Sequence, residues 1–343
     1  MLPAMLPDLF KKVLYGSGLL GLVHRLRNRR TLTVIMFHRI LAPSDPRWAS
    51  CDPDYTLAQD LFAQVLAFFG RHYHVVSCQQ VLEARRGGAA LPARALLITF
   101  DDGWQDNFEY ALPALRAAGM PALLFAVADA IDRAQPFYQE RIVAAWRRNA
   151  LGTVDLARAL VAQGQPVAVA ADNGIAALRG LIAALEQLPI NTRRALLATL
   201  EPRLGDGLRH MLNRDELASL RRGAVEIGLH GKSHEPLTRV DDLEAELGGA
   251  RAAMTQHLGG DAQPNTMSFP HGKFDPGIAQ RALQSGYELV FTSMPTLNPL
   301  QPAPGWLLGR LGFETAAVAE SGGRFRPDWL ALYLFRRPPR LLA

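Results

Sequence analysis

From residue 31 onward, short runs of β-branched and apolar residues alternate with stretches whose apolar residues recur at helical spacing. This alternation limits the possible folds more than any other feature. Residues 33–37 (TVIMF), 73–76, 95–100 (ALLITF), 121–127, 225–229 (VEIGL), 266–269, 287–291 and 306–311 read as strands. Between them, Leu57, Leu61, Phe62, Val65, Leu66 and Phe69 share a helical face, and 107–118 reads as a helix ended by Gly119. Residues 241–258, with an acidic first turn, and a stretch across 276–285 read as helices too. Buried runs alternating with amphipathic helices predict a parallel sheet with crossover helices. With roughly six to eight such strands, closure into an α/β barrel is expected.

The stretch from about 137 to 212 breaks the rhythm, being rich in Ala, Leu and Arg and lacking convincing strands. It predicts a helical insertion within a barrel spanning about 31–315. The 343-residue chain is 49% hydrophobic and 20% charged, which gives ample material for a core. Its two cysteines, Cys51 and Cys78, are not spaced C-x-x-C, so no disulfide framework is expected. The net charge of +5 gathers at the ends, in Arg25, Arg27, Arg29 and Arg30 and again in Arg336, Arg337 and Arg340. No nucleic-acid-binding motif accompanies that charge, so nucleic acid is not an expected partner. Residues 1–30 read as a basic amphipathic helix lying on the barrel or on a lipid surface, and 316–343 as a basic C-terminal tail. A cytoplasmic protein, peripheral to the inner membrane, is the expected setting; the oligomeric state is open.

Several of the buried runs end on a reactive residue. TVIMF runs into His38, ALLITF into Asp101 and Asp102, VEIGL into His230 with His234 four residues later, and 266–269 into Pro270 and His271. In a parallel barrel the carboxyl ends of the strands share the face that carries the active site. Taken singly, each has a plainer explanation: Asp-Asp-Gly is a common turn, and an isolated histidine is often structural. Together they suggest two imidazoles and a carboxylate around a catalytic divalent ion, with a spare carboxylate to act as base. Trp104 is either wall packing or a surface for a sugar ring.

Thr99-Phe100-Asp101-Asp102-Gly103 resembles the first motif of the polysaccharide deacetylase family (carbohydrate esterase family 4), and His230-Gly231-Lys232-Ser233-His234 its second. Ser268-Phe269-Pro270-His271-Gly272 is similar to a variant of the third. Ile35-Met36-Phe37-His38-Arg39-Ile40 resembles the M-Y-H-R-I start of the exopolysaccharide branch, and 286–289 and 309–311 fit that branch too. The resemblance implies a distorted (β/α) barrel of seven strands and metal-dependent removal of N-acetyl groups from amino sugars of a polysaccharide or glycan precursor. It implies Asp101 as general base and Asp102, His230 and His234 as ligands of a divalent metal. Zinc is the first expectation, with nickel, cobalt or iron(II) as alternatives. It also implies that the third motif lines the groove, with Pro270 and His271 touching substrate and a backbone N–H meeting the oxyanion.

The third motif usually carries an arginine and a tyrosine, where this chain has Ser268 and His271. Arg310 is the expected substitute for the arginine, at the substrate groove or beside Asp101. The family's usual late histidine is absent, since no histidine follows His271; the resemblance to the exopolysaccharide branch implies His38 as the general acid instead. A metal-dependent amidase acting on a non-carbohydrate amide and a silent glycan-binding subunit are the competing functions.

Overall fold

In the computed structural model, residues 8–167, 173–260, 263–300, 303–313 and 315–335 are described. They divide into two compact units. The first comprises Met1–Ala42, Asp54–Asp132 and Met211–Ala343, and the second Pro43–Pro53 with Arg133–His210.

The first unit opens with helices α1 (Asp8–Gly16) and α2 (Leu19–Arg27), then strands β1 (Thr31–Phe37), β2 (Arg39–Leu41) and β3 (Thr56–Ala58). There follow α3 (Gln59–His72), β4 (His74–Val75), α4 (Cys78–Arg85), β5 (Ala95–Phe100), α5 (Leu112–Ala118) and β6 (Ala122–Ala126). After the second unit come α10 (Arg214–Arg222), β7 (Val225–Leu229), α11 (Leu243–His257), β8 (Thr266–Ser268), α12 (Pro276–Gln284) and β9 (Leu289–Phe291). Short strands β10 (Asn298–Pro299), β11 (Leu307–Leu308) and β12 (Leu311–Gly312) precede α13 (Pro327–Phe335).

Strands β1, β5, β6, β7, β8, β9 and β11 pair in that order, all parallel. Residues 307–312 nearly close the ring: β11 pairs with β9, and β12, a short step further on, pairs with β1 at the far edge. The seventh strand is thus split at Gly309 and Arg310. Asn298 secures the split, its side-chain amide donating to Leu32 O (3.2 Å) and Gly309 O (2.9 Å) while its oxygen accepts from Gly309 N (2.8 Å). Position 309 must be glycine, because an added Cβ would overlap the Thr296 hydroxyl.

Alternation along the strands divides the core. Ile35, Phe37, Ile98, Phe100 and Leu124 pack outward against helix residues such as Phe62, Leu66 and Leu115. Val34, Leu97, Leu123, Phe125, Phe291 and Leu308 turn the other way and fill the interior. Each such side chain contributes about 1.5–3 kcal/mol on burial. The expected α/β barrel with encircling helices is therefore present, nearly closed.

The second unit contains helices α6 (Tyr138–Arg147), α7 (Thr153–Ala162), α8 (Ile175–Glu186) and α9 (Ile190–Leu204). Ile142, Leu156, Leu160, Leu178, Leu185 and Leu200 form its own core. It has no strand among the described residues.

The ends of the chain differ from expectation. The N-terminal helix is two helices, parted at Ser17 and Gly18, the latter at φ 77°. Residues 316–335 are not a tail: α13 buries Leu330, Ala331, Leu334 and Phe335, and Arg326 before it pairs with Asp328 (2.7 Å), Glu320 (2.8 Å) and Asp8 (3.0 Å). The apolar helix outweighs the arginines that follow it; Arg336, Arg337 and Arg340 lie outside the described residues.

Candidate active site

The strand registers bring the reactive residues to one rim. Phe37 pairs with Phe100, so His38 and Asp101 emerge side by side, tied by Asp101 N to Phe37 O at 3.0 Å. Ala126 pairs with Leu229, and His230 N donates to Ala126 O at 2.9 Å. Ser268 closes β8 beside them.

Asp102, His230 and His234 are buried and offer one ligand atom each, all within 4.8 Å of one another. Asp102 Oδ1 stands 3.5 Å from His230 Nε2 and 3.3 Å from His234 Nε2. His230 Nδ1–H is shared between the Ser268 carbonyl (3.1 Å) and hydroxyl (2.6 Å), which leaves the Nε2 lone pair directed at Asp102. Burial pushes the His230 imidazole down to about 4, so it is neutral, as a ligand must be. Two imidazole nitrogens and a carboxylate oxygen at this spacing fit a first-row divalent ion.

The backbone is bent to make this set. Asp102 (φ 78°), His234 (φ 68°) and His271 (φ 55°) all adopt the left-handed region that non-glycine residues avoid, at a cost of about 1–3 kcal/mol each. The neighbouring turn explains how it is held. Glu246 on α11 accepts from Lys232 N (2.8 Å), Ser233 N (3.1 Å) and Ser233 Oγ (2.6 Å). Gly231, at φ 72°, has no room for a Cβ, which would sit 2.9 Å from Pro270 Cγ.

Arg310 grips Asp101 with two parallel bonds of 2.7 Å each, both residues being almost fully buried. Its Nε donates to Thr292 O (3.0 Å), and the guanidinium lies over the Phe125 ring. Burial, the strongest single influence on Asp101, favours the neutral acid. Arg310, with lesser help from His230 and His38, outweighs it and holds the carboxyl below its usual range. Ser268 Oγ donates to Asp101 Oδ1 at 3.2 Å.

Trp104 is 1% exposed, so no substrate reaches it. Its indole N–H donates to Asp102 Oδ2 at 2.9 Å, leaving Oδ1 toward the imidazoles, and the Arg39 guanidinium stacks on the ring at 4.2 Å. Arg39 pairs with Asp106 (2.8 Å), Asp106 also accepts from Ile40 N (3.0 Å), and Asn107 donates to His38 O (2.9 Å). One chain of contacts therefore runs from the backbone of His38 to Asp102.

Three of the four proposed substrate contacts, Trp104, Pro270 and Arg310, are buried. Arg310, enclosed like Trp104, takes the second of its two expected places, beside Asp101. Pro270 is buried against Gly231, and His271 Nε2–H donates to His234 O at 3.0 Å, its ring 4.5 Å from that of His234. Burial pushes the His271 imidazole down to about 3. His38 is half-buried, with the Tyr55 ring 4.8 Å away. Sequence reading missed Glu246, Asp106 and the role of Ser268; only Ser268, at a strand end, carried a signal.

A nearly closed parallel barrel with an Asp-His-His cluster and a second aspartate at one rim defines a (β/α)-barrel protein with a candidate metal centre. Residues 88–171 match the family profile described as polysaccharide deacetylase. Over 60 residues the chain is 42% identical to the poly-β-1,6-N-acetyl-D-glucosamine N-deacetylase of Escherichia coli K12, a match covering 18% of this chain and 9% of that protein. The fold is similar to that of the Streptococcus pyogenes deacetylase PplD in complex with acetate (TM-score 0.56, 14% identity, 90% of this chain and 99% of that one). It is also similar to IcaB from Ammonifex degensii (TM-score 0.56, 18% identity, 89% and 97%). Residues 88–171 thus resemble polysaccharide deacetylases, and the chain spans less than a tenth of the length of the curated relative it matches.

Proposed function

We propose that this protein is a divalent-metal-dependent hydrolase that removes acetyl groups from N-acetylated amino sugars of an exopolysaccharide. The observation that carries this reading is the cluster of Asp102, His230 and His234 within 4.8 Å, beside a second aspartate fixed by Arg310. Those three residues would hold the ion. Zinc suits the donor set best, and nickel, cobalt and iron(II) accept it too. Once bound, the ion would supply Lewis acidity, polarising a carbonyl and acidifying water.

The remaining work falls to the chain's own side chains. Asp101, ionised and held by Arg310, takes a proton from the water that attacks the acetyl carbon. In the turn at 270–272, the amides of Gly272 and Lys273 are committed to Phe269 and Pro270 carbonyls. The resemblance of residues 268–272 to the third motif makes the His271 backbone N–H the candidate donor to the oxyanion. As the C–N bond breaks, His38 in its protonated form donates to the departing nitrogen, and acetate and a free amine result. Tyr55, 45% exposed next to His38, takes the sugar-stacking role that was one of two open to Trp104.

Acetate release from oligomers of N-acetylglucosamine, by metal-stripped and reconstituted protein, tests the reading. Asp101→Asn should lower turnover about 100- to 10,000-fold with metal content unchanged, and His230→Ala should remove the metal. Full turnover by the stripped protein or by Asp101→Asn would overturn the proposal. Release of acid from a non-sugar amide alone would move the function to the competing amidase.

A further inference from the structure

The described residues expose few large hydrophobic side chains, and most of these are confined to α1 and α2. On α1, Leu9, Phe10 and Val13 are 74%, 50% and 58% exposed. On α2, Leu19, Leu22, Val23 and Leu26 are 53%, 52%, 41% and 74% exposed. At 3.6 residues per turn, each group falls within roughly 100° of arc, so each helix has an outward apolar stripe. This stripe is not the face that holds the helix to the protein. Lys11 lies over Trp329, Leu14 and Tyr15 pack on the core, and Leu20 and His24 are buried, His24 stacked on Phe335 at 4.1 Å. Both helices thus bury one side in the fold and carry a second apolar face outside it.

The charges around that face have one sign. Lys12, Arg25, Arg27, Arg29 and Arg30 are all exposed, whereas the only acid in residues 1–30 is Asp8, engaged by Arg326 and Lys11. Arg25 and Arg27 flank the α2 stripe on its two sides. Two copies meeting through this face would set arginines against arginines, which disfavours a dimer there. A nine-residue helix cannot span a bilayer, and no helix among the described residues is long and apolar enough to do so.

We propose that α1 and α2 form a docking face for an anionic lipid bilayer. The helices lie flat, with Leu9, Phe10, Leu22, Val23 and Leu26 among the acyl chains and the basic residues on phosphate headgroups. This does not depend on the deacetylase reading. The test is co-sedimentation of the full chain with vesicles of phosphatidylcholine, alone or mixed with phosphatidylglycerol in a ratio of roughly three to one. The wild type should pellet with the mixed vesicles and not with the neutral ones, and added salt should release it. Leu22→Glu/Leu26→Glu and Arg25→Glu/Arg27→Glu, all at exposed positions, should each weaken binding at least about tenfold with an unchanged circular dichroism spectrum. The proposal fails if the wild type stays in the supernatant with anionic vesicles, or if Leu22→Glu/Leu26→Glu binds as the wild type does. It fails equally if those two substitutions convert a vesicle-free dimer to a monomer, because a second copy would then be the occupant.

Discussion

At the scale of single residues, the centre is organised around what holds each carboxylate. Asp101 depends on the two-pronged grip of Arg310, and Asp102 on the indole of Trp104. Replacing Arg310 with lysine keeps the charge but loses the planar fork. Arg310→Lys should therefore cut acetate release by one to two orders of magnitude, on the order of the 10–100-fold that supporting contacts contribute, while metal content by elemental analysis stays at the wild-type level. Arg310→Met should go further and lower stability by about 3–5 kcal/mol, because it leaves a buried carboxylate alone; urea denaturation reads that loss. An unaltered rate in Arg310→Lys would mean that Asp101 needs no such orientation. Both aspartates and His230 were legible in the sequence because they follow runs of buried-strand character, and His234 because it lies four residues further on. Trp104 stayed open between wall packing and sugar contact because a sequence reveals the kind of side chain and not its direction. The adjacency of Ser268 and Asp101, far apart along the chain, leaves no spacing to detect.

Among the elements, the loop between β7 and α11 holds His234 in the left-handed region, and α11 restrains that loop through a single carboxylate. Glu246→Gln keeps the shape but removes the charge that three donors share. Hydrogen bonds to a charged partner contribute about 1.5–3 kcal/mol each, more than neutral ones. Glu246→Gln should lower stability by about 1–3 kcal/mol and speed hydrogen exchange at the Lys232 and Ser233 amides. A chelator titration should show weaker metal retention, and exchange at wild-type rates would release Glu246 from this role. Strands β5 and β7 could be delimited from sequence to the residue, since each is a short, mainly apolar run that ends on a reactive polar residue. Helix α13 could not, because its apolar residues surround the whole cylinder and the arginines after it suggested solvent. The break between α1 and α2 had a signal in Ser17 and Gly18 that amphipathic patterning concealed.

On the scale of the whole molecule, the helical unit has a core of its own and can respond to conditions by itself. Within it, Asp206 accepts from His210 (2.9 Å), Ser50 (3.0 Å) and Leu208 N (3.0 Å). Burial, the largest influence, opposes its ionisation, yet His210, Leu208 and Ser50 together hold the carboxyl well below the usual range. A carboxylate with a folded pKa below its unfolded one stabilises above the unfolded value and loses that contribution as the pH falls. Protease cleavage within 133–210 should therefore rise below about pH 4, and Asp206→Asn should flatten this acid dependence. An identical profile in that variant would assign the acid response elsewhere. The alanine- and leucine-rich composition of this stretch showed that it is helical and outside the strand rhythm. Nothing in its sequence announced the return of Pro43–Pro53 to the same unit. The barrel has a consequence of another kind. The split in its last strand both joins the two edges of the sheet and delivers the guanidinium that fixes Asp101. Orientation of Asp101 consequently requires the last strand in place: with every helix formed but residues 307–312 unseated, this carboxylate would lack its guanidinium partner.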